Sequence, residues 1–111
     1  MRKEKILSGT MTLLVLCRLL SEPSYGYQLE TYLAGKLGRP VPPGTIYVIL
    51  NSLNRRKFIT VKEKKLSHGR RITVYRITAA GREFLKRHQE PLASVRKVID
   101  ELTDTIAAMG R

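Results

Sequence analysis

The chain has one cysteine, two histidines, no tryptophan and only nine acidic residues against 21 lysines and arginines. Each shortage closes off a class of protein. The lone thiol, Cys17, has no partner for a disulfide within the chain, and no Cys/His cluster shows zinc spacing. A reduced intracellular setting is expected, with Cys17 buried as a small hydrophobe in the apolar run 11–20. Neither His68 nor His88 sits in a constellation of nucleophile and carboxylate, so no catalytic residue is assigned and the chain is not read as an enzyme. Gly44-Thr45 lacks the spacing and the lysine of a phosphate-binding P-loop. No cofactor or metal is expected. No apolar stretch reaches the roughly 20 residues that span a bilayer. The start, Met1-Arg2-Lys3-Glu4-Lys5, superficially resembles a secretory signal, but Glu4 interrupts its basic region, Arg18 interrupts the apolar one, and no small-x-small cleavage site follows. A cytoplasmic protein without a membrane partner is expected.

What the chain does have is positive charge, a formal net of +12 over 111 residues. That excess implies a polyanion partner, nucleic acid first and an anionic membrane surface second. The charge is clustered. Nine of the lysines and arginines lie between Arg55 and Arg76, with Glu63 as the one acid among them. Clustering of this kind marks a binding surface rather than a merely solvated face.

The order of elements locates that block. Residues 8–21 read as a first helix, apolar around most of its circumference and therefore central to the core. Glu22-Pro23-Ser24 ends it, and Ser24 can cap a second helix in which Tyr25, Leu29, Tyr32, Leu33 and Leu37 recur near helical spacing. Three prolines within 40–43 make a loop. A third helix starts near Pro43 or Gly44 and runs to about Arg56, with Ile46, Ile49, Leu50 and Leu53 as its inward stripe. Two strands follow, 58–64 and 71–78, joined through Gly69, with a twist or bulge expected near Val74 because the apolar positions of the second strand change face. Thr78 can cap a fourth helix, which Pro91 kinks or restarts. Beyond it Leu92, Val95, Ile99, Leu102, Ile106 and Met109 are spaced 3, 4, 3, 4 and 3, the a/d seam of a short coiled coil. The seam fits a dimerisation arm; its competitor is a terminal helix packing on its own domain.

The expected fold is therefore mainly α with a small β-hairpin, a winged helix-turn-helix over 1–87 followed by a C-terminal dimerisation helix over 88–111. In such a fold the third helix enters the major groove and the basic hairpin, the wing, reaches flanking phosphates. The candidate reading helix carries Gly44, Thr45, Tyr47, Val48, Asn51, Ser52 and Arg55, side chains suited to base edges and phosphates. Lys62, Lys64, Lys65, Arg70 and Arg71 are the candidate wing contacts, with Ser24 as a donor to phosphate from the start of the second helix.

Four segments, in order, resemble the PadR family of transcription regulators. Ser24-Tyr25-Gly26-Tyr27-Gln28-Leu29 is similar to the family's Tyr-Gly-Tyr-x-Leu segment. Gly44-Thr45-Ile46-Tyr47, with Leu50 and Leu53, is similar to its Gly-Thr-Leu-Tyr reading-helix pattern. Arg70-Arg71 with Tyr75-Arg76-Ile77-Thr78 resembles the end of the wing, and Thr78-Ala79-Ala80-Gly81-Arg82 the Thr-x-x-Gly-Arg that follows. The likeness covers about residues 7–85. The chain departs from the pattern at Val48, where Pro is frequent, at Asn54, where Glu is usual, and at Lys57, where Gly is common.

The resemblance implies a homodimer on a pseudo-palindromic operator in double-stranded DNA, usually as a repressor and nucleoid-associated when bound. It also implies a possible small hydrophobic or phenolic effector near the dimer interface. The reading from another class is a sequence-independent nucleic-acid-binding or DNA-compacting protein, which would share the basic wing.

Overall fold

A computed structural model describes residues 3–110 of the chain. Helix α1 (Lys3–Ser21) turns its Val15, Leu16 and Leu19 side into the core. Its other side stays open: Cys17 and Leu20 are exposed and Leu13 is half-buried. The expectation of a buried Cys17 and a wholly interior helix is thus corrected. Leu13, Cys17 and Leu20, spaced four and three apart, make a second apolar stripe that α4 borders but leaves partly open.

Pro23 prevents α1 from continuing, and the chain straightens into a two-residue strand, β1 (Ser24–Tyr25). Helix α2 (Gly26–Leu37) then starts from Tyr25, not from a Ser24 cap. Gln28 Oε1, three positions after Tyr25, accepts from the Tyr25 backbone N–H at 2.9 Å and closes the helix start from within its first turn. Gly38, at φ 71°, ends α2 and donates its N–H to Ala34 O.

Gly44, at φ 88°, caps α3 (Thr45–Arg55), whose inward stripe of Ile46, Ile49, Leu50 and Leu53 is buried as its spacing predicts. The exit from α3 is tight. Phe58 N–H reaches back to Leu53 O, and Lys57 adopts φ 63°, a left-handed conformation uncommon for a residue with a side chain. Thr78 Oγ1 donates to Lys57 O at 2.8 Å and so ties this exit to the far end of the hairpin.

Strands β2 (Ile59–Lys65) and β3 (Arg71–Ile77) pair antiparallel, and β1 pairs on the other edge of β3. The β2–β3 register is continuous from Ile59↔Ile77 to Lys65↔Arg71. Of the twist or bulge expected near Val74, the one-to-one pairing rules out the bulge. β3 is the central strand, with Tyr75 buried on the core face and Val74 half-buried on the other, opposite Tyr25.

Thr78 caps α4 (Ala79–Lys86) by accepting from Gly81 N–H at 3.1 Å, as expected. A side chain at Gly81 would collide with the Phe58 carbonyl, which fixes α4 against the wing's base. The helical chain restarts at His88, ahead of Pro91. That proline occupies the first turn of α5 (Gln89–Met109), where its missing N–H and fixed φ are tolerated. Helix α5 buries none of its residues and stretches the molecule to 59 Å in its longest dimension.

Candidate nucleic-acid interface

The outer face of α3 is made by what the core does not take. With four apolar side chains turned inward, Tyr47, Val48, Asn51 and Arg55 are exposed, and Thr45 and Ser52 lie half-buried at its margins. Exposure is high for apolar side chains: 51 % for Tyr47 and 71 % for Val48. Gly44 is exposed at the helix start. The seven residues predicted for the reading helix therefore run the length of α3, from Gly44 at its start to Arg55 in its last turn, with Thr45 and Ser52 at the margins of the exposed face. Tyr47 leans over the beginning of α2, where a Cβ placed on Gly26 would lie 3.1 Å from its hydroxyl. Tyr47 also stands near Tyr75, whose pKa is raised from the ordinary phenol value by burial first and by Tyr47 second.

The wing is less uniform than its charge suggests. Successive residues of a strand point to opposite faces, so the continuous register separates Lys62, Lys64 and Arg76 from Glu63, Lys65 and Arg71. The first set shares the outer face with Val74 and Tyr25. On the second face Arg71 Nη1 lies 3.2 Å from Glu63 Oε1, an exposed pair. Arg70 stands at the turn with Gly69, which supplies the required positive φ of 88°. The predicted wing residues thus fall on two faces and a tip, not on one surface.

Ser24 does not join them. It is 1 % exposed, faces the core opposite Tyr75, and donates its hydroxyl to Glu22 O at 3.2 Å. Its place as a phosphate donor is a correction that follows from β1, since a strand residue paired with a core-facing tyrosine must itself point inward. Sequence reasoning passed over Arg76, Tyr25 and Gln28, which the fold gathers beside Lys62 and Lys64. Alternation counted along β3 would have found Arg76.

At the other end of the molecule, the predicted seam residues Leu92, Val95, Ile99, Leu102, Ile106 and Met109 are all half or more exposed. Val98, which the heptad count omits, is open beside them and broadens the stripe. Leu92 also meets Leu13, Cys17 and Leu20 of α1 around a hollow edged by Arg82 and Lys86. Among the described residues, no group of three His, Cys, Asp or Glu could hold a metal ion, and no helix is long and apolar enough to cross a membrane.

The family model described as Transcriptional regulator PadR-like family matches residues 15–87. A crystal structure of a protein named as a transcriptional regulator from Thermoplasma acidophilum is 37 % identical, with a TM-score of 0.86 over 91 % of this chain and 97 % of that one. A PadR-like transcriptional regulator from Bacillus cereus is 28 % identical, with a TM-score of 0.76 over 89 % and 96 % of the two chains. A protein of Lysinibacillus sphaericus, described only as uncharacterised, is 24 % identical over 90 % of this chain and 94 % of its own.

Proposed function

Because the chain belongs to the PadR-like family of transcriptional regulators, we propose that it is a sequence-specific repressor that binds a pseudo-palindromic operator as a homodimer. The observation that carries this reading is the outer face of α3. It presents hydroxyls, an amide and an apolar contact, with Arg55 as the cation in its last turn. A surface that served only to neutralise phosphate would not need that variety. Asn51 sits centrally on this face and is assigned the main base contact. Thr45, Tyr47, Val48 and Arg55 surround it, with Gly44 and Ser52 at the edges.

Two copies joined through α5 would present two such helices to half-sites about one helical turn, ~34 Å, apart. The apolar stripe of α5 supports the second copy, since a lone helix with that stripe in water gains nothing from it. The hollow between α1, α4 and α5 combines apolar walls with Arg82, Glu83 and Lys86 at its edge, and suits a small hydrophobic or phenolic effector. A ligand of that hollow is expected to weaken operator binding; one that occupies it without changing operator affinity is not the effector. The protein would act on the nucleoid in the cytoplasm.

The test is selection of genomic fragments on the purified protein at near-physiological salt, with each recovered fragment compared with random DNA. One recurrent pseudo-palindrome is expected, bound about 4–10 kcal/mol more tightly than random sequence. Asn51→Ala should remove about 1–3 kcal/mol of that preference and leave random-DNA affinity nearly unchanged. Equal affinity for all fragments, with a steep salt dependence, would instead establish the DNA-compacting reading, which the charge of the wing favours.

A further inference from the structure

Outside α3, one concave polar site stands out, the cleft where the start of α2 faces the outer side of the wing. Tyr25 and Gln28 form one bank, Lys62, Lys64 and Arg76 the other. Strand register places the three cations on this face together and sets Tyr25 opposite Val74 between them.

Two acids border the cleft, and both are already engaged by cations outside it. Glu22 pairs with Arg18 of α1 at 3.2 Å, and Glu63 with Arg71 of the opposite wing face at 3.2 Å. These are the ion pairs among the described residues, so none of Lys62, Lys64 and Arg76 is held in an ion pair. The neutral groups have the same polarity. Gln28 spends its carbonyl oxygen on the Tyr25 backbone N–H, which leaves the amide Nε2 as the end available to an occupant. The Tyr25 ring is 39 % exposed, with its hydroxyl able to donate. Three cations and two neutral donors thus outnumber the two border carboxylates, and the complementary occupant is an anion with several acceptor oxygens.

The cleft also adjoins the reading helix through the start of α2. Gly26, the residue after Tyr25, lies beneath Tyr47 of α3. A DNA strand passing the start of α3 would therefore run on toward Arg76. The three cations are exposed, so a free phosphate ion would gain little from them in water. A phosphate on a duplex already held by α3 arrives at a far higher effective concentration.

We propose that this cleft seats a backbone phosphate of the bound duplex, with Arg76, Lys62 and Lys64 supplying the charge and Gln28 Nε2 and the Tyr25 hydroxyl the neutral donors. The inference rests on the DNA-binding reading but not on sequence specificity. It ranks the wing arginines: Arg76 is the grip, while part of the charge of Arg71 is offset by Glu63 on the opposite face.

The experiment measures binding of the full chain to a random-sequence duplex across a salt series. The triple variant Lys62→Gln, Lys64→Gln, Arg76→Gln should flatten the slope of log K against log salt by at least ~0.9, one phosphate contact. Arg76→Gln alone should flatten it more than Arg71→Gln does. Arg76→Lys should keep most of the slope, and Gln28→Ala should weaken binding severalfold without altering the slope. An unchanged slope in the triple variant, or an Arg71→Gln effect equal to that of Arg76→Gln, overturns the proposal. Saturable binding of inorganic phosphate at the Tyr25 ring, together with a wild-type slope in the triple variant, overturns it in favour of a small-anion site. Uniform affinity for all sequences would defeat the repressor reading while leaving this slope comparison intact.

Discussion

The head and the arm of this molecule are built from similar apolar residues put to opposite uses. In the head, Leu29, Leu33, Ile46, Leu50 and Leu53 are sealed, each at most 1 % exposed. In α5, Leu92, Ile99, Leu102 and Ile106 are open. The charge follows the same division. The segment from Arg55 to Arg76 is strongly basic, whereas α5 carries Glu90, Asp100, Glu101 and Asp104 against Arg96 and Lys97. One part folds around its own interior and carries the surplus of cations; the other leaves an apolar stripe exposed and has no surplus cation that would repel the second copy proposed above. Helix α5 buries none of its residues, so under the homodimer reading proposed above its apolar stripe is where a second copy would add stability.

The largest test of that division is to put charge into the seam. Ile99→Asp with Leu102→Asp should weaken self-association by more than about 100-fold, near 2.8 kcal/mol. The loss is expected in sedimentation equilibrium, with reduced helix content and much weaker operator binding. The head should keep its cooperative unfolding. If the head melted along with the arm, the two parts would be one unit and the comparison would fail.

The next effect uses one substitution at two places. Leu53→Ala, in the sealed core, should cost about 2–5 kcal/mol in urea denaturation, whatever the protein concentration. Leu102→Ala should cost stability only where two copies are associated, so its effect should fade on dilution. A concentration-dependent loss at Leu53 would place part of the core at the subunit boundary.

How well the sequence announced each part follows from the range of the interactions that shape it. The inward stripe of α3, the Thr78 cap and the seam of α5 depend on neighbours three or four residues apart, and periodicity reveals them. The same holds for the outward face of α3, the complement of a legible stripe. Ser24 and Cys17 were misread because distant segments decide their surroundings. Ser24 is turned inward by pairing with β3 some fifty residues away, an edge that two residues of β1 could not announce. Cys17 belongs to an apolar run, but α2, α4 and β3 cover only part of α1. The wing was legible as a hairpin and as charge. Its division into two faces depended on register, which the apparent change of face at Val74 obscured until the central position of β3 was known.

The smallest effect concerns Tyr75 and asks whether the head's interior is closed without help from the arm. Burial first, and Tyr47 second, raise the pKa of this phenol above the ordinary value near 10. Below about pH 10 the hydroxyl is neutral in both the folded and the unfolded chain, and stability is at its full value. As pH climbs from there toward the raised folded pKa, the unfolded chain releases the proton while the folded one retains it, so stability falls across that window and levels off above it. In a spectroscopic titration of the five tyrosines, one late phenolate step is expected, and Tyr75→Phe should remove it. The Ile99→Asp, Leu102→Asp variant should show the same late step at the same pH. A shift toward the ordinary phenol range in that variant would mean that association through the arm helps to seal Tyr75, and the head would then owe part of its interior to the second copy.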